Sequence, residues 1–450
     1  MTTVSLDDAP VRGFHIRVAA FTTGGQFCDG YILGMTGIAL SVASPQLGLG
    51  SVWQGLIAAA ALGGILIGAL IFGPISDRIG RQLLFTLSLV AFIIGSALQF
   101  FVGSGWELFA LRLAMGISIG ADYAIGEPLL AEFSPRKIRG TLLSALNAVW
   151  TVGFVVAYVV GYLLRDTLGD DSWRWMLSSA AIPALIVVLL RIGTPESPRW
   201  LIGKGRVDEA QEIVRRHIGT NIDISALVAH AKTEIQYNAL AAFRHAFSEK
   251  WRTRTIVAGV FYACQTIPYF ALFSFAPQVL SALGFKNEYS SGLILNIFLL
   301  CGAVIGVVFM DRIPRRAFLL WSFGISAAAL VPLGIFTDAP LFVVIGLFAV
   351  FGFVLAAATN LDTLYPNELF PTSIRATGVG IAVAASRVGA AIGTFLLPLG
   401  ITGIGIGPVL LVASAILVIG LVVCAIWAPE TRGKSLEDAA GGTVDASLPN

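Results

Sequence analysis

The sequence has little charge, few histidines and few cysteines for its 450 residues. Asp, Glu, Lys and Arg make up 12% of it, against roughly 25% in an average soluble domain. The four cysteines fall inside apolar runs, which is typical of small buried hydrophobes and not of a disulfide framework or a metal site; they are Cys28, Cys264, Cys301 and Cys424. The four histidines fall in polar segments, so proton chemistry within the apolar part must use carboxylates; they are His15, His217, His230 and His245.

Apolar runs dominate where charge is missing. Hydrophobic residues make up 56% of the chain, and a bilayer core about 30 Å thick needs about 20 of them in a row for each helix. We count about twelve such runs, near 18–42, 52–75, 83–103, 106–131, 140–164, 173–192, 253–282, 289–310, 317–337, 340–365, 377–400 and 405–428. The sequence therefore predicts an all-α polytopic membrane protein with twelve transmembrane helices.

The basic residues predict how the chain crosses the membrane. Most of the 29 Lys and Arg fall in alternate loops and in the two tails, while Arg165, Arg174 and Lys286 fall in the opposite loops. By the positive-inside rule both termini are cytoplasmic. The first apolar run is too long for a cleavable signal, so we expect the first helix to remain. The formal net charge of +2 points to no nucleic-acid partner.

Repeated patterns indicate a duplicated half. The patterns DRI-x-R, E-x-x-P-x-x-x-R and PE-S/T each occur twice, 234 to 236 residues apart, at 77–81 and 311–315, at 132–139 and 368–375, and at 195–197 and 429–431. Two parallel six-helix halves are a transporter architecture. We expect an N-terminal bundle over 1–192, a cytoplasmic linker with short helices over 193–252, a C-terminal bundle over 253–428 and a cytoplasmic tail over 429–450.

Ionisable residues interrupt the predicted spans, among them Asp29, Arg112, Asp122, Glu127 and Arg387. A charge at the bilayer centre costs about 2.5–3.5 kcal/mol on insertion scales, so such residues usually face a partner or a watery cavity. At a rise of about 1.5 Å per residue, Asp122 lies about 24 Å from the outer end of its helix. Burial favours a neutral Asp while a nearby Arg favours the charged form, so a change that swaps water for Arg contact moves a proton.

Three carboxylates compete for the role of the titrating group: Asp29, Asp122 and Glu127. Asp29 has an alternative role, since it could simply tie helices together by hydrogen bonds. Arg387 could snorkel toward a membrane surface, or it could face a cavity, where its planar fork of donors suits a carboxylate.

Longer motifs resemble the major facilitator superfamily over essentially the whole chain, and within it the sugar-porter and metabolite:proton symporter branches. The motifs are GPISDRIGRQ, RLAMGISIG, PESPRWLIGKGR, LYPNELFPTSIRATGVG and PETRGKS. The resemblance implies that Arg112 pairs with the carboxylate of helix 1. It also implies a cytoplasmic latch of ion pairs formed by Asp77, Arg81, Glu132, Arg139, Glu196, Arg199, Asp311, Arg315, Glu368, Arg375 and Glu430.

The predicted pocket departs from that of sugar porters. The segment CQTIPYFALFSFAP keeps Gln265 but lacks the second glutamine, the asparagine and the tyrosine pair of the family pattern, and Thr363 stands in place of the helix 10 tryptophan. The placement of Asp29 and the helix 4 pattern GADYAIGEPLLAEF instead resemble phosphate:proton and aromatic-acid:proton symporters. The resemblance thus favours bacterial inner-membrane metabolite transporters over hexose carriers.

We expect a secondary active transporter that carries a small polar metabolite, an organic acid or a sugar acid, together with protons by alternating access. A sugar or polyol proton symporter and an uncoupled facilitator are the alternatives. No Ser/His/Asp set, phosphate loop or metal-ligand cluster occurs in the sequence, so an enzyme, a cofactor and a metal site are not expected. Partners are then the substrate, the proton and the lipid bilayer, and we expect a monomer.

Two groups of residues are expected to carry this function. Proton coupling is assigned to Asp29, Asp122, Arg112 and Glu127. Substrate binding is assigned to Gln26, Tyr31, Tyr123, Asn147, Trp150, Gln265, Tyr269, Asn296, Asn360 and Arg387.

Overall fold

The apolar runs form helices in the computed structural model, which describes residues 4–6, 9–225, 228, 239–285, 288–310, 312–370 and 372–432. In chain order the helices are α1 (Gly13–Leu47), α2 (Ser51–Ile79), α3 (Arg81–Leu98), α4 (Gly105–Phe133), α5 (Arg136–Leu168), α6 (Ser172–Ser178), α7 (Ala181–Arg191), α8 (Pro198–Gly203), α9 (Val207–Ile213), α10 (Ala239–Ala246), α11 (Arg252–Ser274), α12 (Ala276–Ala282), α13 (Glu288–Met310), α14 (Arg315–Ile335), α15 (Leu341–Ala358), α16 (Asn360–Leu369), α17 (Thr372–Ile404) and α18 (Ile406–Trp427).

The helices are long and apolar enough to cross a membrane. Among the described residues, 11 helical stretches meet this condition, and Lys137–Arg191, with 55 residues, is long enough for two crossings. Large apolar side chains are exposed along them, for example Leu70 at 64% and Phe342 at 77%. A surface this apolar suits lipid and not water. The predicted all-α membrane fold is confirmed.

Two predicted spans are interrupted. The run 253–282 divides into α11 and α12 at Phe275, whose backbone leaves the helical region. Pro277 lies in the first turn of α12, where its missing N–H needs no partner. The run 340–365 divides into α15 and α16 at Thr359, whose carbonyl oxygen accepts from the backbone N–H of Asp362 at 3.1 Å.

The first compact unit comprises Met1–Gly48 and Ala60–Gln236. In it α1 packs along α5, and α3 packs along α4. A Cβ on Gly30 of α1 would lie 2.0 Å from the carbonyl oxygen of Trp150. Only a glycine fits there, and the absence of its side chain brings the two helix backbones close together.

The second compact unit comprises Leu49–Ala59 and Tyr237–Asn450. Here α11 packs along α17, α14 along α18, and α13 along α15. The hydroxyl of Thr266 donates to the carbonyl oxygen of Ser386 at 3.2 Å, which fixes the register of α11 against α17. Cys301 on α13 is exposed, unlike the other three cysteines. Its predicted burial is wrong because its helix face lies on the outside of the unit.

The N-terminal segment is tied to the predicted linker. The strand β1 (Val4–Ser5) pairs in parallel with β2 (Ile222–Asp223). The ring of His217 lies 5.0 Å from that of Phe14 near the start of α1. Burial lowers the pKa of His217, and the charges of Arg216 and Arg17 lower it further. These contacts place the linker segment beside the start of the first helix.

Candidate functional site

A buried ion pair joins α4 to α7 in the first unit. Asp122 and Arg191 are 4% and 1% exposed, and 2.8 Å separates Asp122 Oδ1 from Arg191 Nη2. The guanidinium also donates to the carbonyl oxygen of Phe85 and lies 3.4 Å from the centre of the Phe85 ring. A guanidinium this close favours the anionic form of a carboxylate, so Arg191 is the charge partner of Asp122.

A glycine of α1 makes room for this pair. A Cβ on Gly25 would lie 2.3 Å from Asp122 Oδ2 and 2.8 Å from Arg191 Nη2. The backbone of α1 is therefore one wall of the charged site. Gly25 lies one helical turn before Asp29, so Asp122 borders the same stretch of α1 that carries Asp29.

Arg112 contacts α1 at a different level from the Asp122–Arg191 pair, which lies beside Gly25. It is 1% exposed, and its guanidinium donates to the carbonyl oxygen of Ile32 at 3.3 Å and to the hydroxyl of Thr36. These two residues lie one and two turns beyond Asp29, which is itself 3% exposed. The guanidinium expected to serve Asp29 thus borders the same helix face, while the partner seen for Asp122 is Arg191.

The predicted substrate residues of α1 are buried. Gln26 and Tyr31 are each 4% exposed. The hydroxyl of Tyr31 shares a hydrogen bond with that of Ser179 at 2.8 Å. Tyr31 therefore connects α1 to the turn between α6 and α7.

The remaining predicted residues of this unit lie on α4 and α5 and are partly exposed. Tyr123 and Glu127 are one turn apart on α4, as are Asn147 and Trp150 on α5. The ring of Trp150 stacks on that of Phe154 with 5.6 Å between their centres. A partly exposed face of this kind can offer polar and aromatic groups to a ligand.

The second unit holds a separate charged cluster. Asp362 on α16 is 7% exposed, and its Oδ1 has no hydrogen-bond partner among the described residues. The charge of Arg387 on α17 acts on it. Arg387 is partly exposed and lies 5.9 Å from the centre of the Phe270 ring. Tyr269 on α11 is 3% exposed, and its ring lies 5.3 Å from that of Phe270 between centres.

Three predicted amide side chains of the second unit differ in what they contact. Asn360 donates to the carbonyl oxygens of Ala303 and Ala357, each at 3.1 Å, so it ties α16 to α13. Asn296 donates to its own helix. Gln265 is 1% exposed, and within the described part of the chain neither its amide oxygen nor its amide nitrogen has a hydrogen-bond partner. Gln265 therefore differs from Asn360, whose amide ties two helices together.

Several residues predicted for the latch in the first unit form one network. Glu132 pairs with Arg81 and accepts a hydrogen bond from the hydroxyl of Ser197. Glu196 accepts from the backbone N–H of Gln82 at 3.2 Å. The network joins the ends of α3 and α4 to the segment that begins α8.

The second unit repeats this network with the repeated residues. Glu368 pairs with Arg315 at 3.7 Å and accepts from the hydroxyl of Thr431 at 2.6 Å. Glu430 accepts from the backbone N–H groups of Arg315 and Arg316 at 2.9 and 3.0 Å. Burial alone would raise the pKa of Glu430, but four backbone N–H donors outweigh it and lower that pKa.

The other predicted latch residues have different outcomes. Arg139 and Arg375 donate to carbonyl oxygens five residues earlier, those of Ser134 and Phe370, and so close the ends of α4 and α16. Arg199 lies in α8. The side chain of Asp77 and the whole of Asp311 lie outside the described residues, as do Lys286 and residues 433–450 of the predicted tail.

Two buried charges are absent from the residues predicted above, Arg191 and Asp362. Arg191 ends a predicted span and so looks like a loop charge. Asp122 lies about 24 Å from the outer end of its helix, so about 6 Å of a core about 30 Å thick remains on its other side. This is the level of Arg191. Asp362 falls inside the run 340–365, so the cost of a charge in lipid makes it a candidate functional residue for the same reason as Asp29.

Two surface cavities flank the turn between α14 and α15. Their volumes are about 520 and 680 Å³, and both are lined by residues of the turn such as Asp338. Neither lining contains a residue predicted to bind substrate.

Comparison with known proteins gives the family. Residues 23–441 match the sugar (and other) transporter family. The inner membrane metabolite transport protein YgcS of Escherichia coli (strain K12) is 41% identical over 446 residues, which cover 98% of this chain and 97% of that protein. The putative metabolite transport protein YaaU of the same organism is 37% identical over 443 residues, which cover 98% of each chain.

Solved structures show the same fold. The partially occluded inward-open conformation of the xylose transporter XylE from E. coli matches with a TM-score of 0.80 at 21% identity, over 94% of this chain and 100% of that one. XylE is a protein of the major facilitator superfamily. The relatives are transporters and not enzymes. The chain therefore belongs to the sugar (and other) transporter family, as a multi-pass inner-membrane transporter with the major facilitator superfamily fold.

Proposed function

We propose that the protein carries a small organic acid or sugar acid across the inner membrane together with protons, by alternating access. The observation that supports this substrate class is Arg387, a partly exposed guanidinium beside the Phe270 ring. Its planar fork of donors suits a carboxylate. Gln265 adds a buried amide that lacks a protein partner among the described residues, and a ligand hydroxyl would satisfy it.

Asp29 is the carboxylate that we assign to proton coupling. It is buried on α1, and the guanidinium of Arg112 borders the same helix one and two turns away. Asp122 already has a guanidinium 2.8 Å away, which favours its charged form. A carboxylate that exchanges water for Arg contact during the transport cycle takes up and releases a proton, whereas Asp122 already has its Arg partner.

The two cytoplasmic networks are assigned to a latch. Each holds the ends of two membrane helices to the segment that follows the bundle, through a glutamate that binds an Arg and a hydroxyl. Helix ends held in this way resist the rearrangement that opens the cytoplasmic side. Loss of either glutamate should then favour that opening.

A sugar or polyol is the second candidate substrate. The D-xylose transporter of Levilactobacillus brevis is 29% identical to this chain over 441 residues. XylE is named a proton:xylose symporter and has been solved with 6-bromo-6-deoxy-D-glucose bound. Gln265 also occupies a position of the sugar-porter pattern, so one amide that suits a sugar hydroxyl is retained.

Competition in proteoliposomes separates the two candidates. Uptake of labelled D-glucuronate is driven by an imposed pH gradient, and unlabelled D-gluconate, D-glucose and D-xylose compete. Acid transport predicts that D-gluconate competes best and that Arg387→Ala abolishes uptake. Uptake of D-glucose that survives Arg387→Ala would establish the sugar instead, and uptake insensitive to a proton uncoupler would establish a facilitator.

A further inference from the structure

A pair of aromatic side chains on α10 is exposed beside the start of a membrane helix. Phe243 and Phe247 lie one turn apart on the same face of α10, and their ring centres are 5.2 Å apart. They are 48% and 46% exposed. Another face of α10 carries Ala242 and Ala246, which are buried, and the helix packs against α17. The aromatic pair is therefore an apolar surface that the described residues cover only in part.

A hydrogen bond sets the depth of this pair. The hydroxyl of Thr255, in the first turn of α11, donates to the carbonyl oxygen of Ala246 at 2.6 Å. The chain thus turns back between the two helices, and the end of α10 lies level with the start of α11. That start belongs to the candidate membrane span Arg252–Ser274, and Ile256 in it is 45% exposed. Phe247 therefore lies where the apolar outer surface of α11 begins.

Basic residues flank the aromatic pair in sequence. Residues 244–254 contain one acid, Glu249, and four Lys and Arg residues, which are Arg244, Lys250, Arg252 and Arg254. Arg244 and Arg252 are exposed. Lys250 and Arg254 lie 5.5 and 5.4 Å from the centre of the Trp251 ring. Long basic side chains and tryptophan are both characteristic of the boundary between lipid tails and headgroups.

A membrane surface is the partner that fits both properties. A helix with aromatic residues on one face and basic residues beside them lies in the plane of the membrane, with its apolar face among the upper acyl chains. The distribution of basic residues along the chain predicts that α11 begins at the cytoplasmic leaflet. Anionic lipids give that leaflet a negative surface potential, which attracts Lys and Arg.

We propose that α10 is an interfacial anchor, in which Phe243 and Phe247 enter the leaflet at the start of α11 while Arg244 and Arg252 bind the phosphate groups of anionic phospholipids. The proposal does not depend on the transported substrate. Because α10 packs against α17 and its end is bonded to α11, lipid bound to α10 stabilises the second unit. The protein should then be more stable in a membrane that contains anionic lipid.

Spin labels on the full-length protein in lipid nanodiscs test where the pair lies. Phe247→Cys and Glu249→Cys are labelled separately in a Cys301→Ser background, since the other three native cysteines are buried. Oxygen collects in lipid, and a nickel chelate stays in water. The label at position 247 should be reached more by oxygen, and the label at the exposed position 249 more by nickel. Equal access at both positions would overturn the proposal. A label at position 247 that neither reagent reaches would overturn it too, because another part of the protein would then cover the pair.

Thermal unfolding in nanodiscs tests the lipid chemistry. Phosphatidylglycerol added to phosphatidylcholine should raise the melting temperature of the wild type, and a variant with Arg244→Gln and Arg252→Gln should lose most of this rise. Each basic residue near an anionic surface adds about fivefold to membrane affinity. A control with Lys204→Gln and Arg206→Gln removes the same charge at two other exposed positions and should keep the rise. An equal loss in the control, or the same rise when inorganic phosphate replaces phosphatidylglycerol, would overturn the proposal.

Discussion

Replacing Gly25 by alanine should weaken the Asp122–Arg191 pair without changing either charged residue. The added Cβ would lie 2.3 Å from Asp122 Oδ2 and 2.8 Å from Arg191 Nη2, well inside contact distance. The guanidinium cannot withdraw easily, because Phe85 holds it by a hydrogen bond to its carbonyl oxygen and by its ring. The carboxylate must then turn away from its partner.

The free energy of unfolding that Gly25→Ala removes lies between two limits. Overpacking of a core by one methyl group costs about 1–3 kcal/mol, and complete loss of a partner in a buried ion pair costs about 3–5 kcal/mol. Asp122 can rotate while Arg191 keeps its contacts to Phe85, so the pair is weakened and not removed. We expect a loss of about 2–3 kcal/mol in the free energy of unfolding, the worth of one charged hydrogen bond.

Thermal unfolding in detergent measures the effect. Gly63→Ala is the matched control, since a Cβ on Gly63 of α2 meets nothing within 4 Å; it should be neutral or stabilising by up to about 1 kcal/mol. In an Asp122→Ala, Arg191→Leu background, Gly25→Ala should cost no more than the control. Equal melting temperatures for Gly25→Ala and Gly63→Ala in the otherwise native protein would refute the reasoning.

Three further results are expected. Asp29→Asn should lose uptake driven by a pH gradient but keep exchange of labelled for unlabelled substrate, whereas Asp122→Asn should lower thermal stability; full gradient-driven accumulation by Asp29→Asn would exclude Asp29 from coupling. Thr431→Val removes the hydroxyl donor to Glu368 and should cost about 1–2 kcal/mol in unfolding free energy. Thr402→Val, whose hydroxyl donates to carbonyl oxygens of its own helix, should cost less, and the same melting temperature for both variants would contradict the latch geometry. The pKa of Glu430 is lowered in the folded protein, so its stabilising contribution is present above the unfolded pKa and is lost as pH falls through the folded pKa. The melting temperature of Glu430→Gln should therefore fall less on acidification than that of the wild type. Parallel curves of melting temperature against pH would show that Glu430 does not contribute.

The membrane helices could be predicted from sequence because lipid sets their length. A run such as 52–75 must be apolar throughout to cross a core about 30 Å thick, and the structure places a candidate span at Ser51–Ser76. The break at Phe275 was harder to foresee, since apolar residues continue on both sides of it. Pro277 is the local signal, because a proline is tolerated in the first turn of a helix and disrupts its interior.

The charged residues were visible in the sequence, but their partners were not. Asp122 could be located inside a span by the cost of its charge, and Arg112 was the cation nearest in sequence. Its partner Arg191 is 69 residues away along the chain, and the packing of α7 beside α3 and α1 brings it there. A pairing across three helices depends on side-chain geometry, which hydropathy and charge sums do not contain.

Comparison of the two halves of the chain shows which contacts are repeated and which differ. The repeated motif residues make repeated contacts, since Glu132 binds Arg81 and Ser197 as Glu368 binds Arg315 and Thr431. The membrane carboxylates do not follow the repeat. The offset of 236 that relates Glu132 to Glu368 takes Asp362 to position 126, one helical turn beyond Asp122. The two carboxylates therefore occupy different positions of the repeat and different surroundings: Asp122 is paired with Arg191, whereas Asp362 is buried with an oxygen that lacks a hydrogen-bond partner among the described residues.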